Sequence, residues 1–268
     1  MRFSELSLSA QTAYAELAEQ TRTFELNGAL AGLSGSFHKL ARKGRQYWYF
    51  AYRDLNQKLR MAYVGPDDER VRMLVARFKE NRRKNPLAPQ AQAALALGCA
   101  PAAPKHFRIV KHLADHGFFR AGGILIGTHA FIAMGNMLGV RWSDGASTLD
   151  VDFAHAGRNV SVALPADLEI DVHDALTSLE MGLLPITQFD GKSGAQYRNP
   201  KDQELRLDFV TSHTRDGKPV IMTGLNIALE PLKFMEFSLE GTIQACLIGR
   251  TGACTSTCPH LSGMPCIN

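Results

Sequence analysis

Two aspartates one position apart, Asp150 and Asp152, carry the clearest chemical signal in this sequence. They lie in the run TLDVDF at 148–153, where apolar residues alternate with the acids, and this alternation predicts a short β-strand. Side chains two positions apart in a strand point to the same face, so the two carboxylates are expected to project side by side. Neighbouring anions repel each other unless a cation neutralises them, and a divalent metal ion commonly does so in proteins.

A glycine turn and a third acid strengthen this signal. The run GGILIGTHAF at 122–131 has the form of an apolar strand, a tight glycine turn and the start of a helix. Asp208 lies in LRLDFV at 205–210, another strand-like run, between Leu207 and Phe209. A lone Asp-x-Asp in a strand is more often a solvated face than a site, but an acid enclosed by apolar residues needs a partner. Together these features predict a metal-dependent phosphoryl or nucleotidyl transfer site.

The order of these elements resembles a known family. A Gly-Thr turn, a helix, an Asp-x-Asp strand and a later strand with one Asp are similar to the DNA polymerase β-like nucleotidyltransferase superfamily, and above all to a bacterial subgroup of nucleotidyltransferase-fold proteins. The resemblance covers residues 37–252 and is densest over 112–153. The motifs that carry it are HGFF (116–119), GILIGTHAF (123–131), NMLG (136–139), TLDVD (148–152) and LDFVT (207–211).

This resemblance implies a fold, a reaction and a set of site residues. The fold would be α+β (mixed α/β), with a mixed sheet flanked by helices, and the reaction would move an NMP from an NTP to an acceptor. Asp150, Asp152 and Asp208 would bind Mg²⁺ or Mn²⁺ and act in catalysis, while Gly127 and Thr128 would lie near the nucleotide phosphates. The acceptor, an RNA or a protein hydroxyl, is not fixed by the resemblance. The alternative is a catalytically silent nucleic-acid-binding or regulatory protein on the same fold.

Three other residues near these motifs could contribute to a site. His129 follows the glycine turn, and we expect it to pack on its helix rather than to act directly. Arg141 and Arg198 are compatible with phosphate contacts and equally with ordinary surface positions.

Composition and charge restrict the class of protein. The 268 residues carry a formal net charge of +4, but basic residues dominate between 39 and 84, which favours RNA or DNA as a partner. No apolar run is long enough to span a bilayer, and the first residues lack the apolar segment of a signal peptide. Five cysteines do not form the even set of a secreted disulfide framework. A cytoplasmic protein without a membrane partner is therefore expected.

Changes in composition divide the chain into four parts. Residues 1–84 are predicted to form N-terminal helices and a basic, aromatic β-hairpin, and 85–104 an Ala- and Pro-rich connector with a short helical piece. Residues 105–253 form the expected transferase-like core, in which the polar stretch 189–203 is read as a loop. Residues 254–268 are read as an irregular tail.

The basic hairpin has two possible roles. Arg42, Lys43 and Arg45 form its turn and are candidate nucleic-acid contacts. The aromatic residues of YWYFAY at 47–52 alternate between faces, so they could pack a small sheet or stack on bases.

The tail differs in character from the rest of the chain. Its cysteines at 254, 258 and 266 fit no common zinc-finger spacing. A one-base shift of reading frame from Thr255 onward, with permitted codons, gives a sequence that resembles the family's continuation towards a helical C-terminal region. We therefore expect a frameshifted or truncated C-terminus with poor order.

Overall fold

A computed structural model describes residues 3–31, 35–42, 44–53, 59–83, 87–142, 150–156, 170–186, 195–214, 217–260 and 262. Its contacts divide the chain into two compact units. The larger unit comprises Met1–Arg22 and Leu87–Asn268, and the basic unit comprises Thr23–Pro86. The larger unit thus includes the first residues of the segment that the sequence analysis grouped with the hairpin.

The described residues form helices and strands in an α+β arrangement, as expected. The helices are α1 (Leu8–Ala31), α2 (Glu69–Arg83), α3 (Ala88–Ala96), α4 (Pro104–Asp115), α5 (Gly127–Met137), α6 (Val172–Ser178) and α7 (Glu236–Leu239). The strands are β1 (Phe3–Glu5), β2 (Gly35–Arg42), β3 (Arg45–Arg53), β4 (Leu59–Pro66), β5 (Gly123–Ile126), β6 (Val140–Trp142), β7 (Asp150–His155), β8 (Leu184–Pro185), β9 (Gln196–Asn199), β10 (Asp202–Ser212), β11 (Val220–Met222), β12 (Ile227–Leu232), β13 (Thr242–Gly249) and β14 (Gly252–Pro259). None of the helices in these ranges is both long and apolar enough to cross a lipid bilayer.

A mixed sheet forms the centre of the larger unit. Its main path runs β11-β12-β10-β7-β5, and β9 lies beside β10 with β8 at its outer edge. β7 is antiparallel to β5 and parallel to β10, while β10 is also parallel to β12. The mixed sheet flanked by helices, which the family resemblance implied, is confirmed.

One face of this sheet packs the main hydrophobic core. Val151 and Phe153 of β7, with Leu207 and Phe209 of β10, are fully buried on this face. The Phe153 and Phe209 rings stack with their centroids 5.2 Å apart. Apolar side chains of α4, α5 and α6 belong to the same core. Because strand side chains alternate, burying these four residues turns the neighbouring polar positions of both strands towards the opposite face.

The hairpin of β13 and β14 is buried on both faces. Leu247, Cys254 and Cys258 contribute to the main core, whereas Cys246 and Ile248 pack with residues of α1 and α3 in a second apolar cluster. The prediction of an irregular tail is therefore wrong for residues 254–259, which form most of β14. Small side chains at alternate positions fit the narrow space between two packed layers, and the sequence reading took them for a polar, aperiodic run. Residues 261 and 263–268 lie outside the described residues.

The basic unit holds a three-stranded antiparallel sheet in the order β2-β3-β4. β2 and β3 pair antiparallel up to Arg42 and Arg45, and the predicted β-hairpin is confirmed. Asp67, just after β4, accepts hydrogen bonds from Trp48 of β3 and Arg72 of α2. These bonds and one from a lysine hold the pKa of Asp67 well below its usual range.

Residues 189–194 of the predicted loop lie outside the described residues, and the loop prediction is wrong for the stretch 195–203. It contains β9, whose Tyr197 is buried in the core while Gln196 and Arg198 face away from it. The polar neighbours of Tyr197 hid this strand, because the alternation is visible only over four residues.

Candidate functional site

The three predicted acids lie on two adjacent parallel strands. Asp152 of β7 is in register with Asp208 of β10, and Asp150 is in register with Arg206. Adjacent strands lie about 4.8 Å apart, and in-register neighbours project from the same face. Asp150, Asp152 and Asp208 therefore project together from the sheet face opposite the phenylalanine core.

The glycine turn lies directly beside this acid cluster. Ile126, the last residue of β5, pairs with Asp152, and Gly127 begins α5. Gly127 has φ +64°, and a Cβ built on it would collide with the Asp152 carboxylate oxygen Oδ2. Only glycine combines this left-handed conformation with so close an approach. The structure thus brings the N-terminus of α5, with its partly exposed Thr128, next to the predicted acids.

The position of Asp152 within the acid cluster raises its pKa. Burial and, to a smaller extent, the negative charges of Asp208 and Asp150 together raise the pKa of Asp152 to about 6, against an opposing effect of Arg206. Burial removes water from a carboxylate and so disfavours its charged form, and like charges have the same effect. A nearby cation would therefore stabilise the charged form of Asp152.

Arg206 is a site residue that the sequence analysis missed. Its Nε lies 2.8 Å from Oδ2 of Asp208 in an ion pair on a single strand. The same rule that paired the two acids of β7 applies here, since Arg206 and Asp208 are two positions apart on β10 and share a face. β9 extends this face by placing Gln196 beside Asp208 and Arg198 beside Arg206. The site face therefore carries three acids and two arginines on three adjacent strands.

A buried histidine pair lies at the edge of the site. His106 Nδ1 of α4 and His129 Nε2 of α5 are 3.0 Å apart, and one of them donates to the other. His129 packs in the interior, as expected, and its Nδ1 is buried without a hydrogen-bond partner. Burial and the neighbouring His106 lower the pKa of His129 to about 4. Burial also lowers the pKa of His106, against a smaller opposing effect of Asp150. Both rings are therefore neutral at neutral pH.

The donor set fits a divalent cation chemically. Carboxylate oxygens are the ligands that Mg²⁺ and Mn²⁺ prefer, and the crowded Asp152 is one that a cation would stabilise. Across the described ranges, however, no group of three or more His, Cys, Asp or Glu side chains is arranged to hold a metal ion. In the structure the positive charge beside Asp208 comes from Arg206.

Comparison with known proteins decides the family. A family model described as nucleotidyltransferase matches residues 105–260, more than half of the chain. The chain belongs to this nucleotidyltransferase family. The nucleotidyltransferase match contains the glycine turn, all three acids and both strands of the buried hairpin. No curated protein and no solved structure matches the chain significantly.

The predicted nucleic-acid contacts belong to the basic unit and lie outside the family match. Arg42 and Arg45 are exposed at the hairpin turn, and Lys43 lies outside the described residues.

Proposed function

We propose that this protein is a metal-dependent nucleotidyltransferase that moves an NMP from an NTP to an acceptor hydroxyl on RNA or protein. The observation that carries the proposal is the alignment of Asp208 with Asp152 beside the Gly127 turn. Three carboxylates on one face, next to a helix N-terminus, supply what nucleotidyl transfer requires: anionic metal ligands and a place for phosphates.

Each site residue has a distinct role in this proposal. Asp150, Asp152 and Asp208 would hold Mg²⁺ or Mn²⁺, which when bound would neutralise charge on the reacting phosphate. Gly127 and Thr128 would direct backbone N–H groups of the first turn of α5 towards the phosphates, where the helix dipole favours anions. Asp208 would also accept the proton of the attacking hydroxyl, whose oxygen would bond to the α-phosphorus of the NTP while pyrophosphate leaves. Gly127 has no Cβ, so the nucleotide could approach the backbone closely.

Arg206 gives the proposed site a resting arrangement. Its ion pair with Asp208 neutralises one acid while no metal ion is bound, and it also lowers the pKa of Asp152. Metal binding would release the guanidinium from Asp208, after which its fork of donors would suit a phosphate oxygen. Arg206 would thus exchange one anionic partner for another during the reaction cycle.

A second candidate function is that of a catalytically silent binding protein on the transferase fold. The ion pair between Arg206 and Asp208 favours this candidate, because an arginine that permanently takes the place of a metal ion would leave the acids without a catalytic role. In that case the acids and Arg206 would be a structural charge network on the sheet face.

Labelled nucleotides separate the two candidates. The protein is incubated with each α-³²P-labelled NTP, Mg²⁺, cellular RNA and a protein extract, and label in acid-insoluble RNA and protein is counted. Asp208→Asn should abolish incorporation, while Asp115→Asn, which removes an exposed acid paired with Lys111, should leave it unchanged. Incorporation that is absent from the unaltered protein with all NTPs, or equal in Asp208→Asn, would support the silent candidate.

A further inference from the structure

Three tyrosines form a cluster on one face of the basic unit's sheet. Tyr47 and Tyr49 are two positions apart on β3, and Tyr63 of β4 pairs with Tyr49. The Tyr63 ring lies 5.6 Å from Tyr49 and 6.1 Å from Tyr47, measured between centroids. Tyr63 is 58% exposed, a large value for an aromatic residue at the centre of a ring cluster. The cluster is therefore open to solvent rather than closed by packing.

Two arginines lie beside this cluster on the same face. Arg42 pairs with Arg45 at the turn, and Arg45 is two positions before Tyr47, so both arginines project from the tyrosine side. The Arg42 guanidinium lies over the Tyr49 ring, 5.7 Å from its centroid. We call Arg42, Arg45, Tyr47, Tyr49 and Tyr63 the tyrosine face.

The opposite face of the sheet is occupied by internal contacts. Trp48 donates a hydrogen bond to Asp67, and the Lys39 ammonium lies 5.7 Å from the centroid of the Trp48 ring. Asp67 also forms ion pairs with Lys39 and with Arg72 of α2. The charges on that face are thus engaged within the unit, whereas both arginines of the tyrosine face are exposed.

Charge is distributed unequally between the two units. Residues 23–86 contain 14 Lys and Arg against 6 Asp and Glu. The remainder of the chain contains the other 16 Lys and Arg against 20 Asp and Glu, out of totals of 30 and 26. The basic unit therefore has a formal charge of +8 and the remainder −4. A positive field of this kind attracts polyanions and disfavours basic protein partners.

We propose that the tyrosine face binds single-stranded nucleic acid. The tyrosine rings would stack on unpaired bases, while Arg42 and Arg45 contact the phosphates between them. Exposed rings beside basic side chains are the combination that holds single strands, because every base offers a π-face and every nucleotide a charge. A duplex keeps its bases stacked inside the helix and cannot use the rings. This inference stands independently of the proposed transferase activity.

The test is fluorescence anisotropy with the 268-residue protein and labelled 12-nucleotide U-rich RNA, T-rich DNA and a duplex of equal length. The unaltered protein should bind both single strands more tightly than the duplex. Tyr63→Leu keeps an apolar side chain but removes the ring, and it should weaken binding about 5- to 160-fold, the range for loss of one stacked base. Tyr63→Phe keeps the ring and should bind within about twofold of the unaltered protein.

Salt dependence tests the arginines. The double variant Arg42→Ala/Arg45→Ala should lower the slope of log affinity against log salt by about 1.4, since each phosphate contact on a single strand contributes about 0.7. Lys201→Ala/Lys233→Ala removes the same charge from exposed positions of the larger unit and should leave the slope unchanged. Circular dichroism checks that every variant is folded.

Three outcomes would overturn the proposal. The first is that the protein binds neither single strand, in which case the tyrosine face would be a candidate surface for a protein partner. The second is equal or tighter binding of the duplex, and the third is equal weakening by Tyr63→Phe and Tyr63→Leu. Asp208→Asn should bind the oligonucleotides normally, so a failure of the transferase proposal would not affect this result.

Discussion

Gly127 and the Asp152 carboxylate occupy adjoining positions that leave no room for a side chain between them. Gly127→Ala should therefore cost more than the strain of its φ of +64°, because the new methyl group would displace Asp152. We expect a loss of about 2–4 kcal/mol in the free energy of unfolding, together with loss of nucleotidyl transfer.

Gly217→Ala is the matched control for that variant. Gly217 has φ +63° and nothing within 4 Å of an added Cβ, so it reports the backbone strain alone, about 1 kcal/mol. Urea denaturation of both variants gives the two values, and equal losses would show that Asp152 tolerates the methyl group.

The metal-free protein should become less stable as pH rises through the range in which Asp152 ionises. The folded-state pKa of Asp152, about 6, is above the usual 3.8, so the unfolded chain releases this proton first and stability falls between pH 4 and 6. Asp152→Asn should remove this dependence and stabilise the EDTA-treated protein at pH 8 by about 1–2 kcal/mol. This value is smaller than the pKa shift alone would give, because solvent screens the charges of a partly exposed site. At pH 4 the variant and the unaltered protein should unfold alike. A variant that is less stable at pH 8 would contradict the crowding of acids.

His129 should produce the opposite dependence on pH. Its folded-state pKa, about 4, is below the usual 6.5, so the unfolded chain takes up this proton first and stability is lost as pH falls from 6.5 towards 4. His129→Leu should reduce this acid sensitivity, although it also breaks the hydrogen bond with His106 and should cost about 1 kcal/mol at pH 8. Denaturation curves from pH 4 to 8 test the slope. Unchanged acid sensitivity would mean that His129 is not neutral in the folded protein.

Arg206 should compete with metal ions for Asp208. Arg206→Gln removes the cation of the ion pair, so the metal-free variant should be less stable at pH 8 and should gain more stability from added Mg²⁺. The midpoint of thermal unfolding is measured against Mg²⁺ concentration for both proteins. Arg198→Gln is the control, because Arg198 lies on the same face but next to Arg206 rather than beside an acid. If Mg²⁺ stabilises neither Arg206→Gln nor the unaltered protein, the acids do not form a metal site.

The cysteines of the larger unit should resist thiol reagents until the protein unfolds. Cys99, Cys246, Cys254 and Cys258 are buried, and burial raises the pKa of Cys258 to about 12, so its reactive thiolate is scarce at pH 8. In Cys266→Ser, a disulfide-exchange reagent should modify fewer than about 0.1 thiols per chain rapidly before urea is added. Rapid modification of one thiol would show that β14 is not packed as described.

The sequence predicted the strands and site residues for which the alternation of side chains between two faces is visible within one short segment of the chain. The acid pair on β7, the acid of β10 and the β2–β3 hairpin each follow from neighbours along the chain. Arg206, the partner of Asp208, was missed although it lies two positions away on the same strand, because an arginine in a strand is usually a surface residue and only the register with β7 shows the other acids around it.

The β13–β14 hairpin was missed for a different reason. The residues of β14 are small on both faces, so the strand lacks the alternation of large apolar and polar side chains by which a strand is recognised. The histidine pair joins residues of α4 and α5, so only the fold reveals it.

The hydroxyl of Tyr14 on α1 accepts a hydrogen bond from the backbone N–H of Cys246 on β13, a residue 232 positions later in the chain. Leu17 of α1 is fully buried in the apolar cluster that this hairpin completes. During synthesis, α1 and α3 leave the ribosome before this hairpin, so the side of their apolar cluster that β13 and β14 cover stays open until nearly the whole of the described chain has been made. At ribosomal rates of about 5–20 residues per second, that delay lasts on the order of 10–50 seconds. Newly made chains therefore expose part of this apolar cluster for most of their synthesis, and formation of the β13–β14 hairpin covers it.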